Sequence, residues 1–263
     1  MIPIAVMREP ARNYHGEMAG GIVDGKLALK QHRALQRIYR RHGYRVELLL
    51  PSMKYVGGTF MQDAAFVHGD QAILLNLLSS WRTKEARHNR YELEKVLGQY
   101  LYVERLGLPD LLDGGEFVVT DDEILVGIAC KAARRAVSQI RAKMDLDRPL
   151  RTWTHAAACP DNYHEYVHMG SEMSYLGDGW LLTTQQLSCV PATDRYNTYV
   201  AAEDEDDAAN VIRLHDGTLI MQEGCPETVA MLRSDGWEIE TIDISEFNKG
   251  DGHLSCLSIN FAV

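Results

Sequence analysis

Histidines, acidic side chains and one cysteine are the residues of this sequence whose types and spacing could support catalysis. Residues 163–173, YHEYVHMGSEM, contain the pattern H-E-x-x-H. On a helix this pattern places two imidazoles on one face to bind zinc, with the glutamate as base. Here Pro160 precedes the pattern, Gly170 follows it, and its aromatic and β-branched residues favour a strand. We therefore predict no metal site at His164 and His168, and no cofactor.

Composition and charge narrow the class of protein. The chain has 263 residues, of which 46% are hydrophobic and 24% charged, a composition typical of soluble globular proteins. No apolar run approaches the ~18 residues that cross a bilayer, so no membrane span is predicted. The net charge of −10 argues against nucleic acid or an anionic membrane as a partner and suits a small cationic substrate.

The cysteines indicate a reducing compartment. Their number is odd and no C-x-x-C pattern occurs, which disfavours a disulfide framework or a zinc ribbon. We expect most of them to be small buried apolar residues, whereas one could be a nucleophile. We also expect a cytoplasmic protein that is a monomer or a homodimer. The five are Cys130, Cys159, Cys189, Cys225 and Cys256.

Internal repetition predicts the fold. Four segments have two short apolar runs around a Gly- or Asp-containing turn, which is typical of β-hairpins: 62–75, 115–128, 171–184 and 210–222. Helical periodicity occurs in four more segments: 27–43, 84–100, 130–144 and 226–235. A further strand follows several helices, at 44–50, 149–155 and 237–244. The unit is thus strand–strand–helix–strand.

A fifth hairpin forms only if strand 256–263 pairs with strand 2–7, so that the termini meet and close a ring. We predict a single domain, residues 1–263, with an α/β fold: a five-bladed α/β propeller of pseudo-fivefold ββαβ repeats. The alternative is an open mixed α/β sheet.

The ring makes a prediction about chemistry. The points where the chain approaches each hairpin should face the central axis together. They carry carboxylates, a histidine, an amide and a thiol, at Asp63, Asp113 to Glu116, His168, Asn210 and Cys256. Each also has a structural alternative. Asp63 could cap a strand, Asp113 could be a turn residue, and Asn210 is interpreted as a buried backbone anchor.

Six segments resemble dimethylarginine dimethylaminohydrolase and, more distantly, arginine deiminase and the amidinotransferases, the guanidino-modifying enzymes called penteins. The segments run in the family's order over nearly the whole chain. They are FMQDAAFV (60–67), WRTKEA (81–86), LLDGGEFVVTDDEILVGI (111–128), VHMGSEMSYLGDGW (167–180), AANVIRL (208–214) and IDISEFNKGDGHLSCLSINF (242–261).

The resemblance implies a role for each site residue. Cys256 matches the family's nucleophile, His168 its general acid and base, and Asp113 its catalytic carboxylate. Asp63 matches a second carboxylate that binds guanidinium nitrogens, since carboxylates fit the planar N–H fork of a guanidinium. Arg82 matches an arginine that binds the substrate α-carboxylate, with an exposed surface arginine as its alternative.

Three positions depart from the family pattern. Gly57 stands where the family has an aspartate that helps hold the α-amino group, and Gln62 replaces a glutamate. Lys131 replaces a second carboxylate-binding arginine, which keeps the charge but loses the bidentate geometry. Together with Glu116, Gln62 and Lys131 complete the predicted substrate-binding set.

These observations favour a hydrolase of a small cationic guanidino compound that acts through a covalent thiouronium on Cys256. An amidinotransferase, in which an amine replaces water, shares that intermediate and stays open. A catalytically silent binding module on the same propeller is the third hypothesis, and a zinc peptidase is the fourth.

Overall fold

Five three-stranded sheets form the framework of the computed structural model, which describes residues 1–18, 20–52, 55–79, 82–154, 168–188, 190 and 193–263. In each sheet two strands form an antiparallel pair and the third runs parallel to the middle strand. The five sheets are the blades of an α/β propeller, as predicted, and the open mixed sheet is wrong.

The blades follow one another along the chain, except that blade 1 takes a strand from each end. Blade 1 consists of β1 (Pro3–Arg8), β4 (Arg45–Leu49) and β17 (Ser258–Ala262); blade 2 of β5 (Ala65–His68), β6 (Gln71–Leu74) and β7 (Tyr102–Arg105); blade 3 of β8 (Phe117–Val119), β9 (Ile124–Ile128) and β10 (Leu150–Thr154); blade 4 of β11 (Met173–Gly177), β12 (Trp180–Thr183) and β13 (Asn197–Val200); blade 5 of β14 (Ile212–Arg213), β15 (Leu219–Gln222) and β16 (Ile239–Ile242). All four predicted internal hairpins are confirmed.

Helices connect the middle and outer strands of four blades, close to the predicted positions. They are α1 (Gly25–Arg41), α2 (Thr83–Leu97), α3 (Lys131–Lys143) and α5 (Pro226–Ser234). Two helix starts have a clear physical basis: the Asp24 side chain accepts hydrogen bonds from two backbone N–H groups of the first turn of α1, and Pro226 is the first residue of α5. Among the described residues, no helix is both long and apolar enough to cross a membrane.

Blade 1 closes the ring. Strands β1 and β17 pair antiparallel from Pro3↔Ala262 to Met7↔Ser258. Ile2 and Val263 exchange two backbone hydrogen bonds, of 2.6 and 3.1 Å, so the chain ends meet as predicted. Neighbouring blades pack through apolar side chains, as where Phe66 of blade 2 stacks on Phe117 of blade 3 with ring centroids 4.0 Å apart.

Short turns or helices lead into the first strand of each hairpin, and we call them the approach turns. For blades 1 to 5 they are Ser255–Leu257, Gln62–Ala64, Gly114–Glu116, α4 (Met169–Glu172) and Asp206–Ala209. Two further elements lie outside the blades: a small hairpin, β2 (Gly16–Met18) with β3 (Gly21–Val23), and α6 (Ser245–Asn248). Between β2 and β3, the backbone N–H of Gly20 donates to the carbonyl of Lys249, 2.9 Å away, on the segment that leads to Cys256.

Candidate active site

The five approach turns form a closed circle at the hub of the propeller. The turn of blade 2 contacts the turns of blades 1 and 3, and that of blade 4 contacts the turns of blades 3 and 5. Asn210, next to the turn of blade 5, closes the remaining gap through two hydrogen bonds of 2.8 Å to Ser255 of blade 1. Residues far apart in sequence thus reach one location because the same point of each repeat faces the axis.

Two buried carboxylates flank the imidazole of His168. Its Nε2 lies 3.0 Å from Oδ2 of Asp113, and its Nδ1 lies 3.5 Å from Oδ1 of Asp63. His168 is the residue before α4 and is partly buried, whereas the two aspartates are only 2% and 4% exposed. The structure therefore brings together three of the predicted site residues from three blades.

The charges in this group stabilise one another. Burial disfavours the imidazolium, but Asp63, Asp113 and Glu116 together raise the pKa of His168 well above its ordinary value of 6.5. Burial likewise opposes the charge of Asp63, yet His168 and Arg82 hold the pKa of Asp63 below its ordinary value. At neutral pH the site therefore holds an imidazolium against ionised carboxylate, with the histidine charged as a general acid requires.

Gly115 shapes the space beside His168. Its backbone N–H donates to Oδ1 of Asp63, 3.3 Å away. A β-carbon at this position would lie 2.7 Å from Nδ1 of His168 and 3.0 Å from Oδ1 of Asp63. The second glycine of the D-G-G-E block is therefore needed for the imidazole to sit between the two aspartates.

We expect Gly115→Ala to lower kcat/KM by about 10²-fold, because an added methyl group displaces His168, the predicted general acid and base, by a fraction of an ångström or more. Steady-state kinetics measures the loss, and the urea unfolding midpoint serves as its control. An unfolding midpoint and a kcat/KM both equal to those of the unmutated protein would contradict the steric argument.

Arg82 is not the exposed surface arginine that the sequence left as an alternative. It is 7% exposed, and its Nη1 lies 2.5 Å from Oδ2 of Asp63. Its Nε and Nη2 both donate to Oε1 of Glu85, at 3.3 and 3.1 Å, and Nη2 also lies 3.3 Å from the carbonyl of Gly57. A substrate carboxylate would have to displace one of these partners, so the predicted substrate role of Arg82 stays a prediction.

Glu85 fills the space beside Gly57, which the sequence singled out as a departure from the family. A β-carbon on Gly57 would lie 2.6 Å from Oε2 of Glu85 and 3.2 Å from Nε of Arg82. Burial raises the pKa of Glu85, and the positive charge of Arg82 opposes that rise. A side chain at position 57 is therefore incompatible with this arrangement of Arg82 and Glu85.

The remaining predicted residues occupy different places. Glu116 is fully buried, and its Oε2 accepts a hydrogen bond of 3.4 Å from the N–H of Met169, the residue after His168. Gln62 accepts a hydrogen bond of 2.9 Å from Ser255, which joins the approach turns of blades 2 and 1. Lys131 is the first residue of α3 and is exposed. Their roles in binding substrate stay predictions.

Cys256 lies in the approach turn of blade 1, next to the turn that carries Asp63. Its thiol is free and the residue is 5% exposed. It packs in an apolar cluster with Tyr14, Phe60 and Phe247. Cys225 is also free and buried, and Cys130 is free and partly buried, while the other two cysteines lie outside the described residues.

Sequence reasoning missed the partners that hold the site residues in place. Glu85 follows Arg82 by three residues, a spacing that brings helical side chains together and could have revealed the pair. The interpretation of Asn210 as a buried anchor is confirmed: it is fully buried and also donates to the carbonyl of Gly170, 2.8 Å away.

The zinc hypothesis concerned residues 163–173, of which the structure describes only 168–173. His164 and the rest of residues 155–167 lie outside the described residues. His168 contacts the carboxylates of Asp63 and Asp113. Within the described ranges, no group of three histidine, cysteine, aspartate or glutamate side chains could hold a metal ion.

The chain is similar over most of its length to two curated enzymes, although no protein-family model matches it. N(G),N(G)-dimethylarginine dimethylaminohydrolase of Streptomyces coelicolor is 28% identical over 244 residues, which cover 90% of this chain and 87% of that enzyme. The enzyme of the same name from Pseudomonas aeruginosa is 24% identical over 263 residues, covering 97% of this chain and 98% of the relative.

Solved structures share the fold. A cysteine-to-serine mutant of the Pseudomonas aeruginosa enzyme in complex with citrulline superposes with a TM-score of 0.86 at 22% identity, over 99% of this chain and 100% of that one. An amidinotransferase from Microseira wollei superposes with a TM-score of 0.77 at 12% identity, over 97% of this chain and 93% of that one.

Proposed function

We propose that the chain is a cysteine-dependent hydrolase of a guanidino compound and a member of the guanidino-modifying pentein superfamily, which its similarity to two dimethylarginine dimethylaminohydrolases supports. The observation that carries the proposal is the position of His168 between the carboxylates of Asp113 and Asp63, together with the contact between the turn of Asp63 and the turn that bears Cys256. The whole chain would act as one catalytic domain. The chemistry needs a free thiol, which favours the cytoplasm as its compartment.

Substrate binding follows from the carboxylates. A guanidinium is a planar cation with N–H donors on its edges, and carboxylates bind such edges through charge-assisted hydrogen bonds. Asp113 and Asp63 already face the nitrogens of one planar cation, the His168 imidazolium. A substrate guanidinium would take up contacts with the same pair, and Lys131 would supply a positive charge for a carboxylate on its tail.

In the first half of the reaction, the Cys256 thiolate attacks the central guanidinium carbon and forms a C–S bond. The tetrahedral adduct collapses when His168 gives its proton to the departing amine nitrogen, so the C–N bond breaks. The high pKa of His168 suits this step because the group is protonated when the substrate arrives. The products are a free amine or ammonia and an S-alkylthiouronium on Cys256.

In the second half, water replaces the amine. His168, now neutral, takes a proton from water as the oxygen attacks the thiouronium carbon. The C–S bond then breaks and returns the electron pair to sulfur, while the hydroxyl of the adduct loses its proton, which the released amine takes up through solvent; this regenerates the thiolate and releases a ureido product. His168 thus acts once as acid and once as base, and each proton is accounted for.

An amidinotransferase is the second candidate, because that class occurs on the same fold. It would use the same thiouronium, with an amine in place of water. The buried partners of Arg82 favour neither hydrolysis nor amidino transfer. They also do not identify the tail of the substrate, which an assay has to determine.

The experiment is a panel of guanidines incubated with the protein, with and without amine acceptors. We expect a ureido product, stoichiometric amine or ammonia release, and a transient mass increase on the peptide that carries Cys256. Transfer of the amidino group to an added amine would identify the transferase instead. No turnover together with no adduct on Cys256 would overturn the proposal in favour of a binding module.

A further inference from the structure

A second histidine lies next to Cys256, and the predicted site does not include it. His253 precedes the cysteine by three residues, and the backbone N–H of Cys256 donates to the carbonyl of His253, 3.2 Å away. One turn of chain therefore carries both side chains. The His253 side chain is partly buried, at 22% exposure.

A series of polar contacts, which begins at Asp207, orients the imidazole of His253. Its Nε2 lies 3.5 Å from Oδ1 of Asp207, and the other oxygen of Asp207 accepts a hydrogen bond of 2.8 Å from Gln222. Gln222 in turn accepts one of 3.2 Å from Asn248. The imidazole is thus oriented by a carboxylate that is itself held, as in a nucleophile–histidine–carboxylate triad.

The electrostatics agree with this arrangement. Burial lowers the pKa of His253, but hydrogen bonds to Asp207 and Cys256 outweigh it and raise the pKa of His253 to about 10. Asp207 responds in the opposite direction, since its hydrogen bond to His253 lowers its pKa despite burial. An imidazolium held beside the sulfur stabilises a thiolate.

Tyr14 is one of three tyrosines, with Tyr39 and Tyr44, in the apolar cluster that includes Cys256. Burial, then the charges of Glu246, Asp251 and Cys256, raise the pKa of Tyr14, so its hydroxyl stays protonated at neutral pH. Tyr14 therefore does not compete with His253 for the thiol proton.

The geometry points to His253, oriented by Asp207, as the group that takes the proton of Cys256 and holds the resulting thiolate. The S–H bond breaks and an N–H bond forms on the imidazole. Because Nε2 faces Asp207, Nδ1 is the ring nitrogen that receives the proton. This inference rests on the proposed function, and it divides the work between two histidines: His253 activates the sulfur, and His168 protonates the leaving amine.

Iodoacetamide alkylation tests the inference without any substrate. The rate at Cys256 is followed from pH 5 to 10 by mass spectrometry of its peptide, in the unmutated protein and in His253→Asn, His253→Gln and Asp207→Asn. His215→Asn is the matched control, because His215 is exposed on the hairpin of blade 5. Each variant's unfolding midpoint shows whether it is folded.

We expect alkylation of Cys256 at pH 6.5 to be faster in the unmutated protein than in either His253 variant. Either substitution should move the reactivity profile to higher pH and slow alkylation at pH 6.5 by at least about tenfold. Asp207→Asn should move it in the same direction by less, and His215→Asn should not move it.

An alkylation profile that is unchanged in both His253 variants would overturn the inference. So would a profile that His168→Asn shifts and the His253 variants do not. Because alkylation needs no guanidine, a shifted profile in a protein that turns over no guanidine would reject the proposed function and leave the thiolate pair intact. Guanidine hydrolysis with an unshifted profile would reject the pair alone.

Discussion

His168→Asn is expected to lower kcat/KM for a guanidino substrate by about 10³- to 10⁴-fold, because it removes the imidazolium that is proposed to protonate the departing amine. The asparagine fits the space of the imidazole and keeps a hydrogen-bond donor for one aspartate, so the fold should persist. Steady-state kinetics gives the loss. Mass spectrometry of the Cys256 peptide then shows whether the substrate still forms an adduct.

The pH dependence should identify the histidine. Its pKa lies above 6.5, so the proton-donating form is present at low pH and is lost as pH rises through that pKa. The alkaline limb of the kcat/KM profile, which reports the free enzyme, should therefore belong to His168. Asp113→Asn removes one of the charges that raise this pKa, and the alkaline limb should move to lower pH.

His88→Asn provides the matched control for these measurements, because His88 is exposed on α2 and its ring contacts Tyr55. It should leave both the rate and the profile unchanged. Cys256→Ser should form no adduct under any condition. A His168→Asn protein that retains more than a tenth of the original kcat/KM would exclude the histidine as the acid.

The ring could be predicted from sequence because the same pattern of strands and helices occurs several times along the chain. Each hairpin has the same two apolar runs around a turn, and four helices have the same periodicity, so errors in one repeat are corrected by the others. Closure followed from a count: four internal hairpins and an unpaired strand at each end allowed a fifth. Asp63, Asp113 and His168 then met because equivalent points of a ring face its axis.

The partners of those residues could not be predicted in the same way. Glu85 lies on α2, in the same repeat as Asp63, and its spacing from Arg82 permits a helical ion pair but does not show that this pair is buried against Asp63. Whether Arg82 faces a substrate or another side chain depends on which carboxylates lie nearby in three dimensions. The role proposed for His253 likewise depends on its contact with Asp207, a residue of the acidic run EDEDD (203–207) that lies far from His253 in the sequence.

Gly57 is a second example of a residue whose role could not be predicted from its local sequence. Gly57 is a departure that removes a possible substrate contact when it is considered alone. In the structure, the lack of a side chain at Gly57 makes room for Glu85. The glycine at position 57 and the buried Arg82–Glu85 pair therefore depend on each other. Such compensation between positions far apart in the chain is a property of packing and has no local pattern.

Arg82→Met is expected to lower the free energy of unfolding by about 3–5 kcal/mol at pH 7, because removing one partner of a buried ion pair leaves the other charge uncompensated. Asp63 is 2% exposed, and among the described residues it would keep His168 as its counter-charge. Without Arg82 the pKa of Asp63 rises, so both stability and activity should fail at a higher pH as the solution is acidified. Urea titrations at pH 7 and pH 5 measure the stability difference.

The same variant separates the two roles of Arg82. If Arg82 mainly orients Asp63, Arg82→Met lowers kcat about 10²-fold for guanidines with and without a carboxylate on the tail, because the misplaced aspartate acts at the reacting centre. If Arg82 binds a substrate carboxylate, the KM of only the carboxylate-bearing guanidines rises. Glu85→Gln is the matched control, since it keeps the contact of Arg82 with Asp63 and should produce the smaller change in every measurement. We expect the first pattern, because in the structure the guanidinium of Arg82 already binds Asp63 and Glu85.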